Sequence, residues 1–179
     1  PGIDDGAKDI DESLKLISEM KELGFSKIIT TPHTYKGLYD NTKESIESSY
    51  NKLIPHLDDK NVLQYASEYM IHEELIEKAQ NKELLTINNR YVLVEMNFIS
   101  KPHRLSEILF QIQTNKYIPI IAHMERYQYF FNEKKYIHKL KNHGCKLQVN
   151  FLSLIGYYGK SVLNNTNYLI KNGLVDFFA

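Results

Sequence analysis

Short apolar runs alternate with longer amphipathic stretches along the whole chain. Asp9-Ile10-Asp11-Glu12 sets a capping aspartate three residues ahead of a glutamate, Leu14, Ile17, Met20 and Leu23 follow at helical spacing, and Gly24 supplies a stop. The pattern predicts a first helix over about 11–23. Residues 27–31 form a short β-branched strand ended by Pro32, which has no backbone donor, so His33 is expected to project from the following loop. Ile46, Tyr50, Leu53, Ile54 and Leu57 share one side of a second helix over 43–57. Residues 62–67 read as a strand with Glu68 at its end, and 73–80 as a short helix. Residues 84–87 fit either an added strand or a loop, because Asn88-Asn89-Arg90 soon breaks the run.

Tyr91-Val92-Leu93-Val94 is nearly continuous in apolar character and ends on Glu95, as expected of a strand buried on both faces of a parallel sheet. A helix over 104–114 follows, then an apolar run, 117–122, that delivers His123. Further helices are predicted over 134–142 and 160–171, and further strands over 146–150 and 174–178. About six strand–helix alternations, with no internal repeat, low-complexity tract or linker, predict an α/β fold of parallel strands and crossover helices. The length of 179 residues fits one domain, residues 1–179. Polar residues at successive strand ends favour a closed barrel, with its site on the C-terminal face, over an open doubly wound sheet; periodicity alone does not decide closure.

Lys plus Arg and Asp plus Glu number 22 each, and no basic block stands out, so nucleic acid is not an expected partner. No window approaches the roughly 20 apolar residues of a membrane span, so insertion in a membrane is not expected. Cys145 is the only cysteine, which rules out an intrachain disulfide and fits a reducing, cytoplasmic location. It lacks the Cys-x5-Arg loop of thiol phosphatases and reads as core packing. No Gly-x-Ser-x-Gly elbow, P-loop or dinucleotide fingerprint is present.

His33, Glu68, Glu95 and His123 each follow a different predicted strand, so a barrel would gather all four. Imidazoles mixed with carboxylates suit Zn, Mn or Fe better than Ca or Mg, and the corresponding chemistry is metal-assisted hydrolysis. Taken singly, each residue also fits a solvated turn or strand end. Glu95 carries most weight, because a carboxylate closing so apolar a run is costly unless paired or metal-bound. Arg126, three residues beyond His123, offers a planar fork for a phosphate; its ordinary alternative is a surface ion pair with Glu125 or Glu133. His56, His72, His103, His138 and His143 have no convergent partners and read as surface residues. Tyr127, Tyr129, Phe130 and Phe131, within a chain of 13 tyrosines, fit either stacking on an aromatic substrate or ordinary packing.

Pro-Gly-Ile-Asp-Asp-Gly-Ala-Lys-Asp (1–9), Thr-Thr-Pro-His (30–33), Ser-Glu-Tyr (67–69), Arg-Tyr-Val-Leu-Val-Glu-Met (90–96), Ile-Ala-His-Met-Glu-Arg-Tyr (121–127) and the block from Leu147 to Lys160 occur in that order. On these blocks the chain resembles the bacterial manganese-dependent tyrosine phosphatases of the polymerase and histidinol phosphatase (PHP) superfamily, the capsule-regulating CpsB/YwqE type. The resemblance implies a distorted TIM-like (β/α)7 barrel that holds up to three metal ions, usually Mn, with Fe or Zn as alternatives. It implies Asp5 and His33 as ligands of one ion and Glu68, Glu95 and His123 as ligands of a second, with Glu95 bridging to the third. Arg126 becomes the phosphate-binding residue, which makes Arg126 and Glu95 the catalytic candidates. The implied substrate is phosphotyrosine on a bacterial tyrosine kinase that controls capsule or exopolysaccharide synthesis.

The family's His-x-His pair on a first strand and its Ser-Asp-x-His turn after the last strand are not in the sequence, which begins at Pro1 and stops at Ala179. The expectation is a longer natural protein, of which this chain is a fragment lacking the first strand and both terminal ligand turns, with doubtful activity of its own. Two other readings stay open: a phosphoesterase for a small molecule such as histidinol phosphate, and a non-catalytic module that binds the kinase or the export machinery. Self-association into a homo-oligomer is open as well.

Overall fold

In the computed structural model, which describes residues 1–179, Asp9 caps helix α1 (Ile10–Glu22) by accepting from the Glu12 N–H at 2.9 Å. Glu12 in turn accepts from the Lys8 N–H at 2.8 Å, so the predicted start of the helix is reproduced within one residue. Strand β1 (Ile28–Thr30) ends before Pro32, but the chain resumes pairing at once as β2 (His33–Thr34). His33 therefore lies in a strand and not in the predicted loop.

Helix α2 (Lys43–Leu53) is opened by Thr42 and Ser45, each side chain bonding the other residue's N–H. It stops four residues short of the predicted end, where Pro55 lacks a donor and crowds the preceding turn, leaving a 3-10 turn over Ile54–His56. Next come β3 (Leu63–Tyr65), β4 (Glu68–Met70) and α3 (Glu74–Gln80). Glu68 thus opens β4 rather than closing a strand. Residues 84–87 form no strand beyond one antiparallel bridge between Ile87 and Tyr91.

The remainder alternates as predicted through β5 (Tyr91–Glu95), α4 (Leu105–Thr114) and β6 (Ile118–Ile121). A short helix α5 (Gln128–Asn132), absent from the sequence reading, precedes α6 (Lys134–Asn142). Then come β7 (Lys146–Val149), α7 (Lys160–Lys171) and β8 (Phe177–Phe178).

Every strand pair is parallel. β1 pairs with β3, and the other six run in the order β2-β4-β5-β6-β7-β8. The two sets are one sheet interrupted at the same level. Ala66 donates to Thr30 and Glu68 to Pro32 across the break, at 2.8 and 3.0 Å, and the Ser67 hydroxyl donates to Pro32 O at 2.9 Å. Sheet order therefore follows chain order, without the reversal that marks a doubly wound sheet.

The two faces of the sheet differ, as the two-residue period of a strand requires. Val92, Val94, Ile121, Leu147 and Val149 face the helices and join the main core with Ile108, Ile112, Ile137 and Leu169. Leu93, Ile120 and Ala122 form a small cluster on the other face, with Tyr91 against it. On that face the Tyr91 ring meets Phe177 of β8, centroids 6.0 Å apart. Three strand spacings in a flat sheet would separate their backbones by about 14 Å, so the sheet curls toward this inner face. No helix is long and apolar enough to cross a membrane.

Asp176 fastens the last strand. Its carboxylate accepts from the Leu147 N–H at 2.8 Å and pairs with Lys146 at 3.1 Å and with Lys141 of α6. Burial works to raise its pKa, but these donors outweigh it and hold the carboxyl below its ordinary value. A lowered carboxyl pKa stabilises the fold above the unfolded value, roughly 3.9, and that contribution is lost as pH falls through the folded value. Asp176→Asn should therefore destabilise by about 1–3 kcal/mol at pH 7. Thermal melts across pH should show the gap to wild type closing toward pH 3.

Candidate metal centre

Register places the site before any side-chain detail. His33 lies level with Glu68, and Glu68 lies level with Leu93. Residues level in neighbouring strands share a face, and Glu95 stands two positions beyond Leu93, so His33, Glu68 and Glu95 all point to the inner face at the C-terminal edge. The same count would turn His123 outward, since Ile121 belongs to the helix-facing core. Its backbone is left-handed instead, φ 33° and ψ 51°, an uncommon conformation for a residue with a side chain, and the imidazole swings back to the carboxylates.

The result is one chain of contacts. Asp5 Oδ1 is 3.5 Å from His33 Nε2, and His33 Nδ1 is 2.8 Å from Glu95 Oε1. His123 Nε2 lies 3.8 Å from Glu95 Oε2 and 3.0 Å from Glu68 Oε1. Glu68, Glu95 and His123 are buried, whereas the Asp5 side chain is 69% exposed and sits at the rim. The structure thus joins all five predicted ligand residues, and ligand atoms of His33, Glu68 and Glu95 lie within 4.8 Å of one another.

The donor chemistry fits a metal ion. His33 Nδ1 is buried and, although close to Glu95, has no aligned hydrogen-bond partner, so the approach is a charge contact and not a directed bond. Two carboxylates and two imidazoles converging without other donors between them make a set suited to Mn, Fe or Zn. Contact with Glu95, aided by the charges of Glu68 and Asp5, outweighs burial and pushes the His33 pKa up to about 9.

Several supporting residues were not found by sequence reasoning. The Asp4 carboxylate, not that of Asp5, accepts from the His33 N–H at 3.1 Å, while the Asn41 side chain donates to both His33 O and Ile3 O at 2.8 Å. Tyr127 is fully buried, and its hydroxyl accepts from the Met96 N–H at 2.8 Å, fixing the residue after Glu95. Tyr127 and Phe130 are therefore packing residues, which settles for these two the choice between packing and substrate stacking. Glu125 also points inward, taking the Ser153 hydroxyl at 2.5 Å and the Asn150 N–H at 3.1 Å. The adjacent doublet Asp4-Asp5 and the run around Glu125 were the only signals the sequence held for them.

Arg126 makes none of the ion pairs weighed from sequence. It is partly exposed, and its guanidinium lies over the rings of Phe98 and Tyr158. His56, His72, His103 and His143 are exposed, while His138 bonds the Tyr168 hydroxyl at 3.0 Å, away from the centre. Cys145 is buried in the core, as expected.

A curled parallel sheet with a buried imidazole–carboxylate centre on its C-terminal edge defines a candidate metalloenzyme. The chain belongs to the CpsB/CapC family of capsular polysaccharide synthesis, whose model matches residues 1–179. It is 30% identical to CapC of Staphylococcus aureus over 181 residues, 99% of this chain and 71% of that protein. It is also 28% identical to the tyrosine-protein phosphatase CpsB of Streptococcus pneumoniae, covering 99% of this chain and 76% of that one. Among solved structures it matches one described with YwqE from Bacillus subtilis and CpsB from Streptococcus pneumoniae as metal-dependent tyrosine phosphatases. That match has a TM-score of 0.90 at 27% identity and covers all of this chain and 74% of the other.

Because the His33 pKa is raised to about 9, the imidazole is protonated at neutral pH in metal-free protein, and a bound ion has to displace that proton. Calorimetric Mn titrations in buffers of different ionisation enthalpy should show about one proton released at pH 7, with apparent affinity rising up to about pH 9 and levelling beyond it. Binding without proton release would mean that His33 is neutral beforehand.

Proposed function

We propose that this chain is a PHP-type metal-dependent protein-tyrosine phosphatase domain, spanning residues 1–179 and folded as part of a distorted (β/α)7 barrel. The observation that carries the proposal is the buried pair Glu68 and Glu95, closed in by His33 and His123, with an unpaired Arg126 three residues from one of the ligands. Chain-order strands and the curl that brings Tyr91 to Phe177 support the barrel. Phosphatase relatives along nearly the whole chain support the reaction.

His33, Glu68, Glu95 and His123 would hold the metal, with Asp5 at the rim, and manganese is the ion proposed, up to three in number. Such an ion supplies Lewis acidity toward water and phosphoryl oxygens. Glu95 lies 2.8 Å from His33 Nδ1 and 3.8 Å from His123 Nε2 and would be the carboxylate shared between ions. Arg126 offers the guanidinium edge to two phosphoryl oxygens, which lysine cannot match as a fork. Burial raises the Cys145 pKa to about 12, so this thiol is not a thiolate at neutral pH and a cysteinyl-phosphate route has no nucleophile.

Phe98 is 45% exposed and Arg126 partly exposed, which supports a phosphate site at the surface within reach of a tyrosine on a polypeptide. The proposed substrate is accordingly the phosphotyrosine of a cytoplasmic bacterial kinase segment that controls capsule synthesis. Hydrolysis of phosphotyrosyl peptides by the protein should require Mn and stop with chelator. Glu95→Ala should lower kcat at least about a hundredfold, whereas Cys145→Ser should retain turnover. Metal-independent turnover, or hydrolysis confined to small phosphate esters, would refute the assignment.

A further inference from the structure

The guanidinium carbon of Arg126 lies 4.5 Å from the ring centroid of Phe98 and 4.7 Å from that of Tyr158. The three residues come from separate connections: Phe98 follows β5, Arg126 follows β6, and Tyr158 precedes α7. Neither ring is loose. Phe98 stacks on buried Tyr127, centroids 5.5 Å apart at 25°, and leans on His123 at 5.5 Å.

Tyr158 is tied in through Glu125, the fully buried neighbour of Arg126. The Asn150 N–H donates to the Glu125 carboxylate at 3.1 Å, and the Asn150 side chain reaches the Tyr158 hydroxyl at 3.5 Å. Asn165 of α7 donates to Glu125 O at 2.9 Å. One carboxylate residue thus anchors both the turn that carries Arg126 and the loop that carries Tyr158.

We propose that Phe98 and Tyr158 are positioning residues, an aromatic clamp that holds the Arg126 guanidinium ready for phosphate. No acceptor within the protein takes an Arg126 side-chain N–H, so the edges a phosphoryl group would use stay open while the rings hold the guanidinium. The Arg126 guanidinium has no ion pair or side-chain hydrogen bond within the protein, and the two rings are its close side-chain contacts. Ordering before binding removes a conformational cost that the substrate would otherwise meet. The inference rests on Arg126 as the phosphate fork, and it assigns the rings to the arginine and not to the substrate's tyrosine ring.

Inorganic phosphate separates these roles, because it has no ring. With Mn-loaded full-length protein, Phe98→Leu and Tyr158→Leu should each weaken the KM for a phosphotyrosyl peptide and the Ki for inorganic phosphate by the same factor, about three- to tenfold. kcat and Mn content should stay close to wild type, which separates positioning from damage to His123. Tyr158→Phe keeps the aromatic face and should recover most of the lost phosphate affinity. In an Arg126→Lys background Phe98→Leu should add little. A KM shift without a Ki shift would mean that the rings hold the substrate ring, and no shift in either would mean that they order nothing; both overturn the clamp. Should wild-type protein hydrolyse no phosphotyrosine, the functional reading fails separately, and direct phosphate titration of the same variants still decides the clamp.

Discussion

Two carboxylates, Glu68 and Glu95, share a buried pocket, and most of the local structure answers that fact. Like charges withdrawn from water repel one another and lose hydration, at a cost of several kcal/mol for each uncompensated ion. The inward imidazoles of His33 and His123 supply part of the answer, and the raised His33 pKa is its electrostatic signature. A divalent cation supplies more positive charge in less space, which is why such a pocket suits metal binding. The pocket favours a cation because the fold has already met the cost of burying its ligands.

Holding that pocket in shape falls to residues that do not themselves belong to it. Asp4 and Asn41 fix the backbone of His33 from both sides, tying the first residues of the chain to the sheet edge. Tyr127 holds the backbone just beyond Glu95, and Glu125 joins the turn after β6 to the loop after β7. Each makes at least one hydrogen bond to a backbone or side-chain partner, although Glu125 Oε2 is buried without one. Each ties a segment down at the C-terminal edge of the sheet, where the candidate ligands gather.

Much of this was legible beforehand because apolar runs that stop on a charged residue are conspicuous. Glu95 after Tyr91–Val94 and His123 after Tyr117–Ala122 are such cases, and both reached the centre. The boundaries of α1, α6 and α7 came close because caps and helical spacing act locally. Pro32 was read as ending its strand, whereas the ladder continues across it because Pro32 still offers a carbonyl, which Glu68 uses. The inward turn of Glu125 was not legible either, since its partners Asn150, Ser153 and Asn165 lie far along the chain.

By itself the sequence determined the alternation of elements, the parallel α/β class and the residue types able to bind a metal, because periodicity, capping and chemical identity act within a few neighbouring residues. Only the tertiary structure decided which of them meet. Register put His33 level with Glu68, the sheet curled toward its inner face, and a left-handed turn brought His123 back to carboxylates that strand alternation would have turned it from. Those are outcomes of long-range pairing and packing, which no local pattern encodes.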